Sequence, residues 1–258
     1  MAIQLNDRDK LIFKLIDEHQ VLLEKHISWF ISGEDKPVLI RDRLRKLFYL
    51  DYLLCHRHGT KLPWWTTPTK PLVYMLSPMT RNLVGCENSE IDLFDSEVQR
   101  HLLEVANLRM LHLMGVKDNQ ISDFEWTTLG ARTSVGMTMD AKVRFKCNAT
   151  EHRLGILNHP AADTELIRKL EQGLQMEGIN AILVVNRDEV HQKSLQALNC
   201  SSPMLQRRCY FATHHELYKL GIAQTKWQGC DQKTANLFVT PTAESMGFVG
   251  NFVAAPAM

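Results

Sequence analysis

No run of about 18 apolar residues occurs in this 258-residue sequence, so nothing in it reads as a membrane-spanning helix. It also lacks any CxxC pair. The six cysteines (Cys55, Cys86, Cys147, Cys200, Cys209 and Cys230) stand far apart, which leaves a zinc knuckle nothing to grow from and makes a disulfide framework improbable at this length. They read as reduced, mostly buried thiols. The opening MAIQLNDRDK has no basic segment followed by an apolar one, so a cytoplasmic protein is expected. The histidine pairs His56/His58 and His214/His215 lack helical ligand spacing, and no metal or cofactor is expected. An excess of either charge is missing as well, for the formal net charge is only +1.

What is present is ordinary in bulk and uneven in detail. Hydrophobic residues make up 45% and charged residues 23%, as in a globular chain of one or two domains. Between Lys36 and Arg81 stand nine Lys and Arg against two acids, and between Glu87 and Glu97 five acids and no base. A local block of +7 is the footprint that a phosphate-binding surface would leave.

The chain opens with three helices. NDRDKLIFKLIDEH offers Asn6 as a cap and one apolar stripe; VLLEKHISWFIS follows and is closed by Gly33; Pro37 stands in the first turn of PVLIRDRLRKLFY. On that third helix Val38, Leu44, Leu47 and Phe48 are expected to pack inward. Then come two strands, YLLCHRHG and PLVYMLSP, separated by TKLPWWTTPTKP, which is too polar to read as core, and a short helix between Ser77 and Gly85. Three helices and a hairpin form the winged helix-turn-helix plan. Arg41 and Arg45 are then expected at bases or nearby phosphates, with Arg43 and Lys46 on the backbone. Lys61, Lys70 and Arg57 would add phosphate contacts from the wing, and at its tip Trp64 and Trp65 are expected to cover the hairpin, the alternative being an exposed pair wedged against sugar or a partner chain.

From about residue 98 the pattern becomes α/β. A long helix ending at Gly115 is followed by strands over DFEWTTL, DAKVRFKCN and HRLGILN, then by alternating helices and strands that include the apolar run NAILVV. The domains read as 1–86, 98–230 and a weakly patterned tail over 231–258, with an α+β class overall and a central mixed sheet in the second domain.

LNDRDKLIFKLIDEH, RDRLRKLFYLDYL, VYMLSPMTRNLVG, HLLEVANLRM and YFATHHELYKLGIAQTKW, in that order and spacing, resemble the replication-relaxation family of plasmid and mobile-element proteins. The resemblance implies a winged helix followed by a domain like the PD-(D/E)xK nucleases, with roles in plasmid replication, DNA relaxation and conjugative mobilisation. It also places Asp140 at the first acid of such a site. Gly155 and Leu157 would then stand where the second acid and its partner are needed, and neither can bind a metal. Lys142 lies on the preceding strand, and Glu151, Asp163 and Glu165 belong to a turn and a helix start. The second domain therefore reads as a nuclease-like scaffold with no catalytic residue, and Asp140 as a structural acid. The expected partners are double-stranded DNA, a second copy of the chain, and a relaxase or replication protein. A metal-dependent nickase using Asp140 and a protein-interaction module without DNA binding are the alternatives.

Overall fold

Asn6 and Asp9 close a reciprocal capping box at the start of α1 (Asp7–His19). Asn6 Oδ1 accepts from the Asp9 amide at 3.0 Å, and Asp9 Oδ2 from the Asn6 amide at 2.8 Å. The computed structural model describes residues 4–35, 37–86, 92–129, 139–162, 164–176, 178–199, 201–235 and 237–238. Lys36, Asp163, Cys200, the stretch 87–91 of the acidic segment and 239–258 of the tail lie outside the described residues. A short strand β1 (Leu22–Leu23) separates α1 from α2 (Glu24–Ser32), which Gly33 ends in the left-handed conformation. Leu22 and Leu23 were expected within the second helix; they instead pair with Tyr74 and Val73. After α3 (Pro37–Tyr49), the hairpin β2 (Leu53–Arg57) and β3 (Leu72–Leu76) completes an antiparallel sheet of order β1-β3-β2. This is the winged-helix arrangement. The short helix α4 (Pro78–Val84) starts where the Ser77 hydroxyl accepts the Thr80 amide and stops at left-handed Gly85.

The phase of α3 differs from the expectation. Ile40, Leu44 and Leu47 are its buried stripe, whereas Val38 is 67% exposed and Phe48 is exposed too. Positions i, i+4 and i+7 share one side of a helix; Val38 stands 200° from Ile40 at about 100° per residue. Burying three aliphatic side chains contributes roughly 1.5–3 kcal/mol each. The same turn of phase swings Arg43 inward, where its Nε donates to Asp9 Oδ1 at 2.6 Å and its Nη2 to Asp9 Oδ2. Asp9 is fully buried. Arg43 is therefore a strut between α1 and α3, a correction to its expected place on the DNA backbone.

The long helix α5 (Ser96–Lys117) begins on the Asp95 side chain and runs past Gly115, its expected end. There a glycine permits close approach, since a Cβ would meet Ile222 Cγ2 at 3.3 Å. Behind α5 stands a seven-stranded sheet built from β4 (Ser122–Thr128), β5 (Ala141–Cys147), β6 (Thr150–Asn158), β7 (Ala181–Asn186), β8 (Cys209–Thr213), β9 (Trp227–Gln228) and β10 (Thr234–Ala235). Its order is β10-β9-β8-β7-β6-β5-β4; β6, β7 and β8 run parallel and the other neighbours antiparallel. All six residues of central β7 are buried, as its unbroken apolar run requires. One face is covered by α5 and by α9 (His214–Leu220), through Leu108, Leu111 and Leu217. The other is covered by α6 (Thr164–Gln175), α7 (Glu189–Asn199) and α8 (Pro203–Arg208), through Leu166, Leu170, Leu195 and Leu205. Among the described residues 46% are helical and 23% lie in strands, so the protein is mixed α/β.

Two further expectations change. The tail does not start free at residue 231: β10 extends the sheet, and buried Phe238 packs on Phe145 and His152. The two units also do not part cleanly, because α5 serves both. Ala106 joins the winged-helix core, Leu102 and Leu103 join the cluster under the wing, and Leu108 and Leu111 join the sheet core. Among the described residues no helix is long and apolar enough to cross a membrane.

The Asp9–Arg43 pair gives a stability test. Removing one partner of a buried pair strands the other charge, so Arg43→Ala should lower the unfolding free energy by on the order of 3 kcal/mol. Arg45→Ala, on an exposed side chain, should change it by less than about 0.5 kcal/mol. Burial pushes the Asp9 carboxyl up, but the Arg43 and Asn6 hydrogen bonds outweigh it and hold the group below the usual aspartate range. Its contribution is thus present above about pH 4 and lost as pH falls through the depressed value. Urea unfolding of both variants between pH 3 and 7 reads this directly; equal stabilities for Arg43→Ala and wild type would remove the strut.

Candidate nucleic-acid interface

With Ile40, Leu44 and Leu47 inward, the other side of α3 faces outward. Arg45 and Lys46 are exposed, and their side chains make no ion pair or hydrogen bond among the described residues. Arg41 is 54% exposed at the flank, and its guanidinium grips Glu24 of α2, Nη2 to Oε1 at 2.9 Å and Nε to Oε2 at 3.1 Å. Charge compensation for α3 thus comes from α1 and α2. Of the four basic residues named on this helix, two are bound to carboxylates of neighbouring helices and two are open to solvent.

The hairpin loop holds both cations and core. Lys61 and Lys70 are exposed without ion pairs among the described residues, and Arg57 donates to the Lys70 carbonyl at 3.0 Å, bracing the base of the wing. Leu62 and Trp64, in a loop read as too polar for core, are 1% and 4% exposed. Trp64 covers the hairpin as expected, and it goes further, standing 5.9 Å from the ring of His214 in α9. Below it His58 Nδ1 meets Gln99 Oε1 at 3.1 Å, and Gln99 Nε2 lies 2.8 Å from His56 Nε2. Gly59 lies so close to Ser96 that a Cβ would sit 2.5 Å from its Oγ. The wing is fastened along the first turns of α5.

The same end of α5 carries the polar centre of the second unit. Asp140, just before β5, accepts from the Asn158 amide at 2.7 Å and faces His101 Nε2 at 2.8 Å. Leu154 and Ile156 pack toward α5, so Asn158, in the same alternation, points there too. Its side chain donates to Glu104 at 2.9 Å, and its Oδ1 lies 2.6 Å from His214 Nε2. Glu104, wholly buried, also accepts from Arg187 Nε at 2.9 Å and Arg100 Nε at 3.1 Å, and Arg187 reaches Glu97 at 3.0 Å. Burial pushes the Glu104 carboxyl up, but His214, Arg187 and Asn158 together hold it low. Burial drops His214 to about 4 against the pull of the Glu104 carboxylate, so its charge counts only in the acid range where the carboxyl itself would titrate, and Arg187 supplies the compensating charge at pH 7. These groups gather at the carboxyl ends of parallel β6, β7 and β8, where open α/β sheets place their sites.

The donor set does not suit metal-assisted hydrolysis. Both Asp140 oxygens are occupied, and Gly155 and Leu157 bring no ligand on the neighbouring strand. Among the described residues no group of three or more His, Cys, Asp or Glu could hold a metal ion. The second carboxylate comes from α5, not from a strand, and sequence reasoning missed it along with Asn158, Arg187, His101 and His214. A usable signal was there: an acid and a glutamine within a helix apolar on nearly every side need buried partners. Compared with known proteins, the chain matches no family model, no curated protein and no solved structure.

Asp140 and His101 give the test of this centre. Burial disfavours the imidazolium, but the Asp140 carboxylate outweighs it and His101 stays above its ordinary value. The contact therefore stabilises the fold in full below about pH 6.5 and fades as pH rises through the raised value. In an NMR titration the His101 resonance should move to lower pH in Asp140→Asn; an unchanged midpoint would mean that Asp140 does not govern it.

Proposed function

We propose that this protein binds double-stranded DNA without catalysis, seating α3 in the major groove and laying the wing along the flanking backbone. One observation carries the reading: in a winged-helix arrangement, Arg45 and Lys46 of α3 stand exposed with no carboxylate partner among the described residues, beside a hairpin bearing exposed Lys61 and Lys70. Phosphates are the partners such cations lack. The second unit acts as a brace for the head, its polar centre spent on its own contacts. The setting rests on the resemblance of the segments quoted above: a cytoplasmic protein of a plasmid or other mobile element, acting as transcriptional regulator or as accessory in relaxation and mobilisation, as a homodimer or beside a relaxase or replication protein. Two heads on adjacent half-sites would suit a palindromic target.

A protein-contact role is the second reading, favoured by exposed Val38, Leu39 and Tyr49 on α3 and Leu83 on α4. Salt separates the two. Affinity for duplex DNA should fall steeply between 50 and 200 mM salt, as released counterions demand, and Lys46→Ala/Lys61→Ala/Lys70→Ala should flatten the log–log slope by about one per lost phosphate contact. Feeble binding at low salt, identical in wild type and the triple variant, would leave only protein contact. Supercoiled plasmid incubated with magnesium or manganese should stay intact; nicking abolished by Asp140→Ala would restore the enzyme reading.

A further inference from the structure

With the phase of α3 known, its outward row can be named. At about 100° per residue, Val38, Asp42, Arg45 and Tyr49 lie within roughly 50° of the direction opposite Ile40, Leu44 and Leu47, with Lys46 just beyond. Val38 is 67% and Tyr49 74% exposed, and Asp42 and Arg45 are exposed as well. Asp42 and Arg45 are i, i+3 neighbours of opposite charge, yet no ion pair joins them, nor does either side chain pair elsewhere among the described residues. Arg41 is taken by Glu24 and Arg43 by Asp9. The one open arginine and the one acid therefore share the row that a groove would meet first.

A carboxylate there is an odd choice for plain phosphate binding, because it repels the backbone. It has only acceptors, so duplex DNA must answer it with a base-edge donor. In the major groove adenine N6 stands between two acceptors that repel a carboxylate, its own N7 and the thymine O4, whereas cytosine N4 has an acceptor on one side only, the O6 of its guanine. An arginine in the same row matches guanine O6 and N7 as a bidentate donor, and a valine suits the thymine methyl. Resting on the DNA-binding reading above, we infer that Asp42 and Arg45 are the specificity-determining pair, Asp42 accepting from cytosine N4 and Arg45 donating to guanine within a short step of the same site, with Val38 against a thymine methyl. Asp42 does a second job: on sequences without cytosine at its position it faces acceptors, or at adenine a donor flanked by them, and weakens non-specific binding.

Selection of bound duplexes from a random library by the full chain tests this. Wild type should enrich a site with cytosine and guanine within about two base pairs. Asp42→Asn, whose amide matches adenine N6 and N7, should exchange that cytosine for adenine while leaving the guanine, and Arg45→Ala should relax the guanine alone, each by about tenfold or more in relative affinity. Both side chains are exposed and unpaired, so folding should be unaffected, which thermal unfolding checks. An unchanged consensus in Asp42→Asn, with wild type still binding in a salt-dependent way, overturns this inference and leaves the DNA-binding reading standing. Failure of wild type to bind any duplex overturns both.

Discussion

A helix buried on almost every side must find partners for each polar group it carries, and α5 is such a helix. Gln99 and Glu104 are buried in it alongside Leu102, Leu103, Val105, Ala106, Leu108 and Leu111. Glu104 alone requires two arginines and an amide, because an uncompensated carboxylate would cost several kcal/mol in that surrounding. Those groups are Arg100, Arg187 and Asn158, and two of them sit at the carboxyl ends of sheet strands. Gln99 in turn meets the base of the wing through His56 and His58 and donates from Nε2 to the Leu93 carbonyl. One helix thus ties the ends of the large sheet to the wing of the small one. Its apolar residues do the same for the cores, and this is why a boundary placed at the acidic segment separates two sequence patterns more sharply than it separates two packed bodies.

Local features were legible in the sequence wherever the physics is local. The Asn6 cap, the Gly33 and Gly85 stops, the Ser77 and Thr213 caps and the apolar β7 run each depend on residues within a turn or a strand of one another. Errors came where a long-range partner decided. VLL reads as helix until β3 is there to pair with it. Val38 and Ile40 are equally apolar, and only the position of α1 and α2 says which one turns inward. Arg41 and Arg43 looked unpaired because a helix wheel sees carboxylates four residues away, whereas Glu24 and Asp9 stand 17 and 34 residues distant. The wing tip misled for another reason. Pro, Thr and Lys surround Leu62, and composition averages away this one apolar side chain, which is buried beside Trp64.

The second unit shows the same division. Its succession of strands and helices could be read from the pattern, and its lack of an acid at Gly155 and Leu157 from the resemblance. That Asp140 is spent on Asn158 and His101 could not, since the three come from a strand start, a strand end and a helix. What the register adds is a reason for Asp140 to be acidic without catalysis. It accepts the Asn158 amide at the point where β6 leaves its pairing with β5, and it favours the imidazolium of His101.

Bracing has a consequence for the binding head. A wing free to swing adapts to many backbone paths, and a wing fixed by Trp64, His58 and Gln99 presents Lys61 and Lys70 at a constant spacing from α3. In the proposed DNA complex, fixed spacing would turn phosphate contacts into a register device: they would stabilise it only when α3 meets the groove at one depth and one step. A short carboxylate such as Asp42 reaches a base edge only at close approach, so it can discriminate only if that depth is reproducible. In the proposed complex the buried Gln99 of α5, which fastens the wing, would in this sense be what allows an acid on α3 to be useful there. Loosening the brace should therefore cost selectivity sooner than it costs affinity, since charge attraction tolerates an ångström of play and a base-edge hydrogen bond does not.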